Sequence, residues 1–566
     1  NFSLLYRLSL DNYDQRNTRF INKGGPRQPD GELTTVNTTN FLTDQILNLV
    51  YNFRLSPDLT VDGILGVNLR AETQRVTVAN SEQQFVYNLF NHQNFIQHNN
   101  FSFLTEERTN GVYLTGTFGY KDFLYLNLQG RNDWTSTLEQ DNRSVFYPSA
   151  SLSFVASDAI PSITNSNMVN LLKFRFGYGT SAGYPDPYRT RSVLGSETNS
   201  FVTANGVVLN TNTVDNFLGN PDLEHELIEE FEFGLEGRFF QGRFGVDLSL
   251  YNKQSTDLIV DLPLDPATGF LATAVNAADV VNRGIELALD LAVPIPGPVR
   301  WDARWNFTRN ISEVNSILEG IERVQIDAAA FIEGAETQGT LGDVGAYAIP
   351  GEQYGVFFGE QLLKDDQGRF IVDQEGSYQI GSDFAVIGDP NPDYQMNLFN
   401  TFSWKGLSLG FQFQYVKGGD IYSSTAAALL ARGNSTDSDI DRNLPRILPN
   451  AVKGDGTEND IQVYIGDEAF NSFFNGEGFV FDGTVLRLRQ ASLSYAMPQG
   501  ILENTPFGAM NITLSGENLW FNAPNTPEGL NFDPEISSTG VGNSRGFDFR
   551  TAPTARRYGV VLSLTF

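Results

Sequence analysis

Three short stretches carry residue types and spacings from which chemistry could be built. In DQEGSYQIGSDF (373–384), Asp373, Glu375 and Ser377 occupy the first, third and fifth positions of a calcium-type loop, and Gln379 could offer its carbonyl. The sixth position, where the sharp turn favours glycine, is Tyr378, and the twelfth, where a bidentate carboxylate belongs, is Phe384. The stretch therefore reads either as a calcium loop with two elements replaced or as an ordinary polar loop. In LEHELIEE (223–230), His225 lies between Glu224 and Glu226. Neighbours on a strand point to opposite faces, so this trio does not converge on one ion or proton. In VLRLRQASLSY (485–495), Arg487 and Arg489 share a face opposite Leu486 and Leu488. They are read either as a polar pair facing a lumen or as a cationic strand end in solvent.

Nothing else in the chain points to catalysis. There is no nucleophile elbow, phosphate loop or HExxH. Cysteine is absent and only His92, His98 and His225 supply imidazoles. Sixty-seven acidic residues make chance carboxylate pairs common. We expect no enzyme activity and no bound cofactor, calcium at 373–379 being the one candidate. A formal net charge of -29 argues against nucleic acid, whose phosphates require a basic face.

The elements that would hold these residues are strands. Charged residues are 19 % of the chain, aromatics 12 %, and glycine numbers 53, a composition suited to strands and tight turns. No apolar run reaches the roughly 18 residues of a membrane helix, so a membrane-spanning reading requires strands. Alternation of period two recurs throughout: Leu172, Phe174, Phe176 and Tyr178 against Lys173, Arg175, Gly177 and Gly179; Trp301, Ala303, Trp305 and Phe307 against Asp302, Arg304 and Asn306. A soluble sandwich buries such an apolar face, whereas a membrane barrel turns it to lipid. Connections separate the two. Turns near Lys121, Gly242 and Gly406 are tight, while 190–226, 313–352, 419–480 and 521–553 are long, the asymmetry of transmembrane barrels. Runs such as 409–418 and 558–566 have about the 9 to 11 residues that a tilted strand needs to cross hydrocarbon. Aromatics near expected strand ends (Tyr120, Phe239, Phe240, Tyr251, Trp404, Trp520) fit interfacial girdles. We count about 16 or 17 strands.

Eight segments in order resemble the SusC/RagA-type branch of TonB-dependent outer-membrane transporters of Bacteroidota. They are GRNDWTSTLEQDNRSVFYPSASLSFV (130–155), LKFRFGYGTSAG (172–183), GNPDLEHELIEEFEFGLEGRFFQGRFGVDLSLYNKQSTDLI (219–259), NRGIELAL (282–289), VIGDPNPDYQMNLFNTFSWKGLSL (386–409), FDGTVLRLRQASLSYAMP (481–498), SGENLW (515–520) and NFDPEI (531–536). The parity change between Leu486/Leu488 and Leu493/Tyr495 predicts a bulge near Gln490 to Ser492.

The resemblance implies an all-β fold, a large antiparallel transmembrane β-barrel of 22 strands in the cell outer membrane, with residues 1–566 forming its later part. It also implies an upstream plug, which Arg487 and Arg489 would contact from the lumen, a TonB-type energy-coupling protein, and a SusD-like lipoprotein over the mouth. The function implied is import of a bulky nutrient, an oligosaccharide or oligopeptide. Two alternatives stand beside it: a non-transporting SusC-like scaffold of an assembly or secretion complex, and a soluble all-β carbohydrate-binding protein. NFSLLYRLSL at the start reads as the middle of a strand, so we expect upstream sequence. At the other end, Tyr558, Val560, Leu562, Leu564 and Phe566 alternate as a lipid-facing row, with Gly559, Ser563 and Thr565 opposite and Val561 the apolar exception. That row resembles the C-terminal signal read by the barrel assembly machinery.

Overall fold

The computed structural model describes all residues except 27, 204–206, 296, 328–343, 437–438, 440, 442, 465–475, 528, 531, 539–541 and 544. Among the described residues, seventeen strands belong to one sheet, as the alternation predicts. Sixteen are wall strands: β1 (Phe2–Ile21), β2 (Glu32–Ser56), β3 (Leu59–Gln84), β4 (Phe95–Tyr120), β5 (Leu124–Thr135), β6 (Ser144–Val155), β7 (Val169–Gly183), β8 (Glu226–Phe239), β9 (Phe244–Pro263), β10 (Ala272–Pro294), β11 (Val299–Ile317), β12 (Pro392–Trp404), β13 (Leu407–Gly418), β14 (Val485–Ala496), β15 (Ala509–Asn522) and β16 (Arg557–Thr565). The seventeenth is the two-residue Phe217–Leu218. The chain forms two compact units, one of Asn1–Phe154, Gly177–Glu230 and Ser255–Ala277, the other of Val155–Phe176, Phe231–Gln254 and Ala278–Phe566.

In the first unit, β1 to β6 pair antiparallel in sequence order. Cross-strand register puts Leu4, Leu49, Leu65 and Leu114 in one row, and Asn48, Gly66, Tyr113, Arg131 and Tyr147 in a row on the other face. Gly66 makes room for Tyr113: a Cβ there would stand 2.2 Å from the ring. Strands β1 to β4 run 20, 25, 26 and 26 residues, well beyond the expected 9 to 11. At roughly 3.3 Å per residue, 26 residues tilted by about 45° rise about 60 Å, more than twice the ~25 Å apolar band of a membrane barrel. The sequence reflects this. Val61, Leu65, Val67 and Leu69 alternate beside the tight turn, whereas RAETQRVTVANSEQQ (70–84) is largely polar on both faces and stands clear of hydrocarbon.

In the second unit, β10, β11, β12, β13, β14, β15 and β16 pair antiparallel in that order. One row runs Val293, Trp301, Phe402, Leu409, Leu493, Leu514, Val560, apolar on all seven strands. One residue along, the other face reads Asp302, Thr401, Gly410, Ser492, Ser515, Gly559. Leu409, Leu493 and Leu514 are 44 %, 41 % and 49 % exposed, a contiguous apolar surface that water would not tolerate and lipid would.

Turns at Lys121, Gly242 and Gly406 are tight, as expected. Lys405 and Gly406 both have positive φ (44° and 86°), the geometry of a two-residue hairpin. Phe123 packs edge-on against Tyr120 and Phe154 at such a turn, but Tyr251 lies inside β9 and not at an end. The long connections are 184–225, 318–391, 419–484 and 523–556. The second exceeds its expected length because Val324–Asp327, Gly345–Ala348, Val356–Leu362 and Ile380–Gly388 form a separate four-stranded sheet. In the first, Asn220 closes an Asx turn onto the Asp222 amide at 3.0 Å and seats Leu223, fully buried, against Leu138 and Ala274.

The two faces predict different tolerances. Leu514→Arg should cost about 2 to 4 kcal/mol near the bilayer midplane, and Thr513→Arg, one residue along, no more than about 1 kcal/mol. Denaturant titration of the two variants in lipid vesicles checks this.

Candidate functional site

The expected bulge exists, one residue earlier than read. Leu488 pairs with Phe413 and Gln490 with Gln412, which leaves Arg489 as the extra residue of β14. On the other side, Leu488 pairs with Trp520 and Gln490 with Glu517, so Asn518 and Leu519 are also out of register. Asn518 absorbs the kink with φ of 52°. Placing the extra residue at Arg489 keeps Leu486, Leu488, Leu493 and Tyr495 on the apolar face. It also swings the Arg489 side chain beside Arg487, where its Nε donates to Gln414 Oε1 at 2.6 Å and an Nη to Asn518 Oδ1 at 3.3 Å.

Acids reach these arginines from the 523–556 connection. Asp533 forms an ion pair with Arg487, and both residues are 4 % exposed. Glu535 pairs with Arg489 and lies 3.5 Å from Arg487. Asp533 also accepts from the Glu535 amide at 3.0 Å and from Thr554 Oγ1 at 2.6 Å. Two cavities, of about 420 and 380 Å³, share Arg487 in their walls.

The rim of the larger cavity includes Pro390, Pro392, Asp420 and Arg545. Asp389 accepts from the Asn391 amide at 2.9 Å and side chain at 2.8 Å, and its own amide donates to Asp420 Oδ2 at 2.9 Å. Burial pushes the Asp389 carboxyl above the usual carboxylate range, Asp393 adding to this and Arg545 opposing it. Burial raises Asp420 likewise, against its bonds from the Asp389 amide, with Asp482, Asp389 and Asp393 reinforcing the rise. Behind this rim Phe357, Tyr422, Phe479 and Phe547 form an apolar core that anchors the long connections to one another. Segments 386–409, 481–498, 515–520 and 532–536, distant in sequence, thus meet at one place.

The other sequence-derived residues stay apart from it. Asp373 Oδ1 accepts from the Glu375 amide at 3.0 Å and the Ser377 amide at 2.8 Å, capping a hairpin turn whose Gly376 has φ of 87°. Tyr378 is buried in the cluster of Leu362, Val372 and Val463, and Gln379 bonds backbone to backbone with Ile371. Among the described residues, no group of three or more His, Asp or Glu is arranged to hold a metal ion. Tyr558, Val560 and Leu562 extend the apolar rows of β15, Leu564 pairs with Met510, and Phe566 packs on Phe507. Val561 lies opposite Thr513 on the polar face. His225 precedes β8, half-buried. Sequence reading missed the Asp389–Asp420 contact, since nothing in the sequence places residues 31 apart side by side. It also missed Ser81, whose hydroxyl lies 2.9 Å from Nδ1 of both His92 and His98.

Comparison with known proteins gives concordant matches. The family described as TonB dependent receptor-like, beta-barrel matches residues 1–428. A TonB-dependent receptor of Formosa agariphila is 28 % identical over 475 residues, 79 % of this chain and 45 % of that protein. The TonB-dependent receptor SusC of Bacteroides thetaiotaomicron is 23 % identical over 387 residues, 64 % of this chain and 37 % of that protein. The RagAB peptide transporter shares the fold, with a TM-score of 0.75 at 19 % identity over 100 % of this chain and 60 % of its own. The chain thus spans about half the length of the curated relatives it matches.

Two outcomes test the site. Arg487→Met alone should cost about 3 to 5 kcal/mol because it strands the Asp533 charge, and Arg487→Met with Asp533→Leu should recover most of that, read by denaturant unfolding. The raised carboxyls of Asp389 and Asp420 contribute stability that is present at low pH and is lost as pH rises through their folded values. Hydrogen exchange at 386–392 and 418–421, corrected for intrinsic rates, should therefore slow as pH falls from neutrality toward the ordinary carboxylate range, and Asp420→Asn should flatten the change.

Proposed function

Because this chain belongs to the TonB-dependent receptor-like β-barrel family and is an outer-membrane protein of SusC/RagA type, we propose that it serves energy-coupled import of a bulky polar nutrient, an oligosaccharide or an oligopeptide. The observation that carries this reading is the cavity pair around Arg487. It lies at the loop end of β14 and β15 on residues of the polar face, and long connections wall it in. Large connections folded on their own apolar cores give such a site shape, as binding loops on a rigid scaffold commonly do.

A TonB-type protein would supply the energy through sequence outside this chain, and a SusD-like lipoprotein would cover the mouth. SusC and the RagAB transporter support these partners by likeness. The RagAB name supports a peptide as one cargo class. The chain's own part is to bind and orient: paired charges at Arg489 and Glu535 hold a polar surface open to water, and the apolar outer rows seat the wall in lipid.

Deletion of the gene in its host should abolish growth on the cognate oligomer but not on its monomer. Dissipating the inner-membrane proton gradient should reproduce the loss of uptake. Unchanged uptake after deletion, measured with labelled oligomer, would exclude import.

A further inference from the structure

Residues 85–94, the connection from β3 to β4, fold against the sheet at the end of β3 that stands clear of hydrocarbon. One imidazole seats them. His92 Nε2 lies 3.0 Å from Thr35 Oγ1 on β2, and its Nδ1 lies 2.9 Å from Ser81 Oγ on β3. The same Ser81 oxygen lies 2.9 Å from Nδ1 of His98 on β4. Ser81 and Thr35 are 1 % and 4 % exposed, so water has little access to either hydroxyl. Phe90 packs on Phe20 with ring centroids 4.0 Å apart, and Lys23 Nζ donates to the Phe85 carbonyl at 2.6 Å.

A serine hydroxyl has one proton to give. It can donate to one Nδ1 and accept from the other, so both contacts hold only while one of the two Nδ1 atoms is bare. With both rings neutral, or with one charged, a continuous chain of donors and acceptors runs through Ser81 and His92 to Thr35. With both charged, two N–H groups face one buried oxygen, its own proton has no imidazole to go to, and two cations repel across it. The surroundings oppose the second charge. Burial first, then His98, then Arg16 on β1 hold the His92 imidazole below its ordinary range. Lys23 adds positive charge from the turn between β1 and β2. Of the acids on these strands, Asp14 accepts from Thr39 at 2.6 Å, while Glu32 and Glu82, like Arg19, have the opposite parity in the register and face away.

We propose that Ser81, His92 and His98 form a proton-operated latch on the loop 85–94, closed while one imidazole is neutral and opened when acid charges both. A histidine with a depressed folded value favours the closed loop fully above the ordinary imidazole value, and that contribution is lost as pH falls below it. Gln83 and Asn88 have φ of 65° and 62°, left-handed conformations that non-glycine residues leave once their contacts go. Opening frees Phe90 from Phe20 and changes how Phe85, Val86, Tyr87 and Leu89, exposed at this end of the hairpin, are presented to water. The latch is independent of what the barrel imports.

The test uses the full-length protein in detergent with EDTA, which keeps metal ions off the paired imidazoles. Hydrogen exchange of 85–94, corrected for intrinsic rates, should quicken severalfold as pH falls from neutrality through the ordinary imidazole range. His92→Gln and His98→Gln each keep a neutral hydrogen-bonding side chain and remove one of the two charges, so both should abolish the acid step while circular dichroism stays unchanged. In the unsubstituted protein, NMR of ¹⁵N-labelled imidazoles should show His92 and His98 titrating in two separate steps, with loop exchange following the second. Exchange that is flat with pH, that follows the first step, or that keeps its acid step in either glutamine variant would overturn the proposal.

Discussion

The constraint on which everything else rests is that a sheet spanning hydrocarbon must satisfy its backbone within itself and present only apolar side chains outward. Strands do this because side chains alternate, but only if every strand keeps register with its neighbours. The row from Val293 to Val560 meets that condition on seven successive strands. A slip of one residue anywhere along it would bring Ser492, Ser515 or Gly410 to the lipid side and Leu493, Leu514 or Leu409 to the lumen. Features that seem local, such as the Lys405–Gly406 hairpin, therefore hold a global pattern in place.

Arg489 shows how the same constraint makes a site. The strand VLRLRQASLSY cannot keep Leu486 and Tyr495 on one face without an extra residue, and the residue set out of register is an arginine on a kinked strand. Its side chain then reaches Gln414 and Glu535, and the 523–556 connection is fastened to the wall by two ion pairs. Packing and function meet here, because the buried Arg487–Asp533 pair is costly to break on either side. The two ion pairs tie Asp533 and Glu535 of that connection to the strand that carries Arg487 and Arg489.

Alternation made the strands, the tight turns and the polar and apolar faces legible in the sequence, because each depends on residues within two or three positions of one another. It failed where structure is non-local. The length of β2 to β4 was missed because NTTN or TNG beyond the membrane carries no apolar alternation, yet these residues continue the hydrogen-bonded ladder. Asp373 and Glu375 suggested coordination by spacing alone, whereas the backbone amides of the turn take Asp373 first. The four segments that meet around Arg487 could each be seen in the sequence, but their convergence belongs to the fold.

The claim tested most directly is the assignment of the two faces. The chain has no cysteine, so single cysteines can be introduced and spin-labelled without background. Labels at Leu409, Leu493, Leu514 and Val560 in lipid vesicles should collide with dissolved oxygen and be shielded from a water-soluble nickel chelate. Labels at Gly410, Ser492, Ser515 and Gly559 should show the opposite pattern. Equal accessibility along both rows, or the reverse assignment, would contradict the account.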